Sequence, residues 1–452
     1  MSRPNVIICL CDQLRSFDVG CYGDKHIRTP NIDRLASEGV RFETACSNNP
    51  VCTPARSILL SGQYSRTCAG SLVNSPEPER ERATFPGPTV AEAFGSAGYR
   101  TGLIGKWHVW THPSSVGFDS VCYPNHMHRY TGQTFFDSDG GSRVVEGFSC
   151  EAEQEELSRF LAADDDRPFF LYYNISQPHM PLADMPERYK AMYAPESIPL
   201  RPNVFEDGKP AYDENWFGIY LWDFLFYQQH LPYTETLPEG FDLRRLTAFY
   251  RGAITWADDQ LGELMRQLRA AGLDDHTLVV FTSDHGDNLG SHQLFNKDKL
   301  YEESIRIPMI FRQPGEIAPR TVDTQVASLV DVMPTLLSLA GVDVPESVQG
   351  TDLAEVVRGN EATVGENAAF VETTAGPVGI RTPTHLCGVD KAKDGHHRTA
   401  EVTNDRYMLF DVARDPLQTQ NLAASDEESV IGGELRERLL RWDRETPWMV
   451  ST

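Results

Sequence analysis

Three absences narrow this 452-residue chain before any motif is read. No apolar run is long enough to cross a bilayer. Positive charge is scarce: 41 lysines and arginines face 65 aspartates and glutamates, a net charge of −24. That balance argues against nucleic acid and against an anionic membrane as partners, because both are bound through clustered basic side chains. A disulfide framework is missing too. The nine cysteines are odd in number and irregular in spacing. Cys9, Cys11, Cys21, Cys46 and Cys68 are expected to stay reduced. The first residues, Met1 to Asn5, lead only into the short apolar run Val6 to Cys11, which reads as a strand rather than a signal peptide. A cytoplasmic protein is the expectation. There is no internal repeat and no low-complexity tract.

The rest of the composition is that of a globular chain, 40% hydrophobic and 10% aromatic. Val6 to Leu10 and Leu278 to Thr282 are continuous apolar runs, as expected of strands buried on both faces of a parallel sheet. Thr101 to Ile104 and Phe169 to Ile175 read likewise. Helical periodicity marks Pro30 to Gly39, with Asn31 as its cap, Val90 to Gly98, and Leu246 to Ala271. Strands alternating with helices predict an α/β fold: a large doubly wound, mixed but mostly parallel sheet flanked by helices. Functional side chains then belong at the carboxyl ends of its strands. The expected division is a domain over 1–364, with an aromatic-rich insertion at about 199–238. A small α+β subdomain, a short antiparallel sheet plus a helix, follows over 365–452.

Polar residues of reactive types gather at four strand ends. Asp12 follows the first strand, and Ser283-Asp284-His285-Gly286-Asp287 follows the run Leu278 to Thr282. Carboxylates and an imidazole at neighbouring strand ends suit a divalent cation. Lys106 and His108 sit two apart after Gly105, so an extended segment would aim both at one anion. His179 lies between Pro178 and Pro181, which restrict its backbone. A fifth segment, Cys52-Thr53-Pro54-Ala55-Arg56, places a cysteine two residues before a proline and four before an arginine.

Together these segments resemble the type I sulfatases of the alkaline-phosphatase-like superfamily. Cys52-x-Pro54-x-Arg56 is similar to the motif whose cysteine is oxidised to formylglycine. Gly98 to His108 is similar to a second sulfatase motif, and Pro178-His179-x-Pro181, Asp284-His285-Gly286, Lys297 and Asp415-Pro416 also fit. The likeness runs in order from Asn5 to about Leu422. The resemblance implies a sulfatase that uses hydrated formylglycine at Cys52 to attack a sulfate monoester of a carbohydrate or another small or aryl alcohol. It implies that Arg56 holds the diol, that Lys106 and Lys297 bind sulfate oxygens, that His108 is the base and that His179 is the acid. Asp12, Gln13, Cys52, Asp284 and His285 would hold one divalent metal, Ca²⁺ first and Mn²⁺ second. A formylglycine-generating enzyme would be the maturation partner.

Two positions depart from the fullest version of the family pattern: Gln13 in place of an aspartate, and His285 in place of an asparagine. Both lean towards phosphonate monoester and phosphodiester hydrolases of the same superfamily, whereas the Lys106 and His108 pair favours a sulfate ester. A non-catalytic binder of sulfated glycans would need a missing catalytic residue, and none is missing. For the substrate, His126, His128 and Arg129 are candidates to recognise an acidic sugar. The stretch from Asp12 to Asp24 looks like that of sulfatases acting on sulfated uronic acids, and choline sulfate is the rival.

Overall fold

The computed structural model describes residues 3–69, 84–125, 129–204, 242–374, 377–391, 402–423 and 429–449. The aromatic insertion falls largely outside them, as do His126 and His128.

A ten-stranded sheet organises the chain, in the order β10-β2-β9-β8-β1-β7-β3-β4-β5-β6. Its centre is parallel: β8 (Thr277–Ser283), β1 (Asn5–Asp12), β7 (Phe169–Pro178), β3 (Arg100–Gly105) and β4 (Ser120–Pro124). On one side the antiparallel β9 (Met309–Arg312) joins β8 to β2 (Val40–Cys46), which pairs in parallel with β10 (Arg320–Ser328). On the other side β5 (Thr131–Asp137) and β6 (Ser142–Phe148) extend the sheet as an antiparallel meander. The mixed, mostly parallel sheet is the one expected.

The continuous apolar runs exist because both faces of the centre are covered. In β1, Val6, Ile8 and Leu10 join one core, while Ile7, Cys9 and Cys11 join the other. The first core is closed by α2 (Cys52–Ser61), α3 (Val90–Ser96) and α6 (Leu329–Leu339), through Ile58, Phe94 and Leu336 among others. The second is closed by α1 (Pro30–Ser37), α4 (Ser149–Leu161) and α5 (Leu243–Ala270). The apolar stripe Leu246, Ile254, Ala257, Leu261, Leu264 and Leu268 of α5 lies on it.

One local expectation is corrected. Asn31 does not cap α1: Pro30 opens the helix, and Thr29 stands at the cap without a side-chain bond. The Asp258 carboxylate of α5 does the capping instead, accepting from the backbone N–H of Asn31 at 3.0 Å and of Ile32 at 2.7 Å. A helix N-terminus welcomes an anion, yet burial without a cationic partner pushes this carboxyl up to about 7.

A second, antiparallel sheet carries β11 (Ala369–Glu372), β12 (Val378–Arg381), β13 (His385–Lys391) and β14 (Val402–Asp411), followed by α7 (Ser429–Glu445). Arg66 ties this unit to the large sheet. Its guanidinium, buried, meets Glu372 of β11 at 2.6 Å and Asp443 of α7 at 2.7 Å, and lies 4.6 Å above the Trp442 ring.

Candidate active site

The carboxyl ends of β1, β3, β7 and β8 converge on the first turn of α2. Cys52 opens that helix after the extended Val51, which puts its side chain at the helix N-terminus facing the strand ends. Asp12 ends β1, and Asp284 and His285 follow β8. One ligand atom from each of Asp12, Cys52, Asp284 and His285 lies within 4.8 Å of the others, all four residues buried. His285 Nδ1 is 3.0 Å from the Gly286 carbonyl, which only accepts, so that nitrogen carries the proton. Nε2 therefore offers its lone pair to the cluster, 3.2 Å from Cys52 Sγ. Two carboxylates, an imidazole lone pair and the side chain at position 52 make a donor set that fits a divalent cation.

Cationic side chains enclose this set. Arg56, one turn along α2 and wholly buried, donates through Nε to Asp284 Oδ2 at 3.1 Å. Its Nη2 reaches Asp12 Oδ2 at 3.2 Å, and its Nη1 reaches Asn174 Oδ1 at 3.0 Å. Lys106 Nζ binds Asp12 Oδ2. Lys297 Nζ is 2.8 Å from Cys52 Sγ and 3.1 Å from His285 Nε2. Burial alone would push the Cys52 thiol up, but Lys297 and Lys106 outweigh it and hold it well below its ordinary range. Burial and Cys52 likewise oppose ionisation of Asp12, and Lys106, His179 and Arg56 override them. The pocket is therefore tuned to stabilise negative charge at position 52 despite the chain's overall charge of −24.

Lys106 and His108 reach the pocket differently from the extended segment expected. β3 stops at Gly105, whose φ is +89°, and a Cβ there would sit 2.0 Å from the Asn174 carbonyl oxygen. Only glycine lets β3 end this close to β7. His108 is itself left-handed, with φ +52°, and its carbonyl accepts from Thr53 Oγ1 at 2.9 Å. The turn still brings the imidazole into a hydrogen bond with Cys52, where burial pushes it below its usual value. His179, flanked by cis bonds to Pro178 and Pro181, is buried with Nδ1 2.7 Å from the Met180 carbonyl. Its Nδ1 thus carries a proton, which leaves proton exchange to Nε2.

Gln13 stands beside the cluster. Its Nε2 donates to Asp287 Oδ2 at 2.5 Å and Asn296 Oδ1 at 3.0 Å. That leaves Oε1 turned towards Lys297 Nζ at 3.4 Å. Arg129 is exposed. Sequence reasoning missed Asn174, Asp287 and Asn296, which orient Arg56 and Gln13. Two are neutral amides with no distinguishing pattern, while Asp287 stood in plain view one glycine beyond His285.

Comparison with known proteins adds the family. Residues 4–342, which include every pocket residue from Asp12 to Lys297, match the model described as Sulfatase. Residues 290–445 match the model described as N-sulphoglucosamine sulphohydrolase, C-terminal. The chain is similar to the ulvan-active sulfatase of Formosa agariphila, 31% identical over 97% of this chain and 80% of that protein. It is also similar to the N-acetylglucosamine-6-O-sulfatase of Bacteroides thetaiotaomicron, 26% identical over 97% of this chain and 86% of that one. A solved structure bound to its substrate, D-glucosamine-2-N,6-O-disulfate, superposes with a TM-score of 0.82 at 25% identity, covering 98% of each chain. A family model over most of the length, together with a relative 31% identical over 97% of this chain, makes this chain a member of the sulfatase family and an enzyme that hydrolyses sulfate esters.

Proposed function

We propose that the sulfate ester belongs to a saccharide, and that the nucleophile is a formylglycine made from Cys52 by a formylglycine-generating enzyme. One divalent cation, Ca²⁺ first and Mn²⁺ second, would be held by Asp12, Asp284, His285 and the oxygen at position 52, with Gln13 Oε1 beside them. In this reading Cys52 Sγ stands in for that oxygen. The formylglycine hydrate would supply the attacking hydroxyl, and the cation would lower its pKa and hold it in place.

The protein's own groups would do the rest. Arg56, pinned by Asp12 and Asp284, keeps position 52 oriented. Lys106 and Lys297 bind sulfate oxygens and offset the charge that develops there. His108, neutral at pH 7 because burial lowers its pKa, takes a proton at position 52 for sulfate release. His179 Nε2 delivers a proton to the leaving oxygen. The observation that carries this reading is the meeting of Lys297, His285, Asp12 and Asp284 around one buried side chain, Cys52. The saccharide is supported by the named activities of the relatives and by the sugar disulfate bound in the superposed structure.

The test is a panel: ulvan oligosaccharides, N-acetylglucosamine 6-sulfate, heparin disaccharides, choline sulfate, an aryl sulfate and an aryl phosphonate monoester, at equal enzyme. A sulfated saccharide should give the highest kcat/KM. Choline sulfate or the phosphonate in first place would overturn the reading. Intact mass should be about 18 Da below the sequence mass, from oxidation of the thiol to an aldehyde.

A further inference from the structure

Thr53, which follows Cys52, and His108 line one part of a groove of about 480 Å³. That volume lies within the usual range for small-molecule sites, about 300–1,000 Å³. Away from the catalytic residues the groove is walled by Trp110, His112, Tyr123 and Phe136.

These side chains are more open than the aromatics of the core. Phe94, Phe118, Phe170 and Tyr172 are buried in the core, whereas Trp110, Tyr123 and Phe136 are only half-buried and His112 is exposed. Their positions are nonetheless fixed. Tyr123 and Phe136 are register partners on β4 and β5, with ring centroids 5.5 Å apart. Trp110 packs against Phe85 at 4.8 Å, and Trp107 Nε1 donates to the Thr111 carbonyl at 2.6 Å, closing the loop. A rigid aromatic wall costs little entropy when a ligand settles on it.

The polar groups are neutral. Among the described residues no aspartate, glutamate, lysine or arginine lines the groove, in a chain where 23% of residues are charged. His112 Nδ1 accepts from the Ser114 N–H at 3.3 Å, so its Nε2 carries the proton and donates. The indole Nε1 of Trp110 is buried and makes no hydrogen bond among the described residues. The side-chain amide of Asn125 stands at the exposed rim. Aromatic faces with neutral donors suit one ligand chemistry well: a pyranose ring, which has an apolar C–H face and hydroxyl and ring oxygens at its edge. A quaternary ammonium also sits on aromatic faces but has no oxygen to accept from the N–H donors of this wall, and a second sulfate would favour lysine or arginine. Neither is present in the lining.

We propose that this groove is a second sugar subsite, seating the ring next to the one that bears the sulfate, so that the enzyme prefers a sulfated oligosaccharide to the free sulfated monosaccharide. The proposal rests on the saccharide reading above. Its test uses matched pairs from the same panel, each sulfated monosaccharide with the disaccharide that carries it, and the kcat/KM ratio within a pair. The wild-type ratio should favour the disaccharide by about tenfold or more. Trp110→Ala should cut that ratio by about fivefold or more, mainly through KM. His112→Ala, at an exposed position, should cut it less but in the same direction. Trp110→Phe keeps an aromatic ring beside Phe85, loses the N–H and part of the ring surface, and should fall between wild type and Trp110→Ala. A ratio unchanged in both Trp110→Phe and His112→Ala overturns the subsite and leaves the saccharide reading standing. Turnover of the aryl sulfate with no saccharide hydrolysed overturns that reading, and the subsite with it.

Discussion

Around Cys52 the charged side chains are buried, and Arg56 and Lys106 meet Asp12 and Asp284 in ion pairs; along the groove from His108 to Phe136 the walls are half open to solvent and carry no formal charge among the described residues. The first region is built for a group that the reaction always presents, a sulfate ester and its developing negative charge. Arg56 alone holds Asp12, Asp284, Asn174 and the Lys106 carbonyl. The second region is built for whatever alcohol leaves. Energetically they are opposites. In the buried network, removing one partner strands the others without solvent. In the groove, a lost side chain is replaced by water.

Breaking that contrast starts at its centre. Cys52→Ser should lower sulfate release by at least about 10³-fold on every substrate of the panel, because a serine ester has no neighbouring O–H from which to collapse. Activity within tenfold of wild type would show that a plain hydroxyl suffices. Removing divalent metal with a chelator should lower the rate by about 100-fold, equally for aryl and saccharide sulfates. Ca²⁺ should restore it better than Mn²⁺; the reverse order would make the His285 imidazole the decisive ligand. Arg56→Met should destabilise the protein by about 3–5 kcal/mol, read from the shift in denaturant midpoint, since it leaves Asp12 and Asp284 facing each other. A change below about 1 kcal/mol would mean that Lys106 and Lys297 already compensate both carboxylates. Groove variants belong at the other end of this scale, with losses that depend on the substrate.

The same contrast explains what could be read from the sequence. β1 and β8 were legible because strands covered on both faces must be continuously apolar, and their polar ends then stand out. The Cys52 segment, Lys106, His108, His179 and Lys297 were legible because sulfate chemistry needs particular residue types in order. The meander β4 to β6 was not, since Ser142–Phe148 lies at the sheet edge with most of its side chains open to solvent. Nor was the turn after Gly105. Lys106 and His108 do share a target, but through a left-handed His108 rather than an extended chain. Long-range caps were invisible in principle. Asn31 is a good local cap by type, yet Asp258, 227 residues away, takes its place. Asn174 and Asn296 are ordinary amides until the fold puts them beside Arg56 and Gln13.

Asp258 gives the smallest and most specific test, because it shows what a buried carboxylate does when no cation answers it. Asp12 is held ionised by Lys106 and Arg56. Asp258 has only N–H donors, and burial raises it to about 7, against about 3.9 in the unfolded chain. The folded state therefore holds the proton more tightly. The stability tied to that proton is fully present below about pH 4 and is lost as the pH rises through about 7. Asp258→Asn keeps an oxygen for the Asn31 and Ile32 N–H groups and removes the ionisation. The variant's Tm relative to wild type should thus rise between pH 5 and pH 8, on the order of 2 °C for a chain of this size. A difference that stays flat with pH would mean that the helix N-terminus compensates Asp258 as fully as Lys106 and Arg56 compensate Asp12, and that isolated and paired carboxylates in this fold do not differ after all.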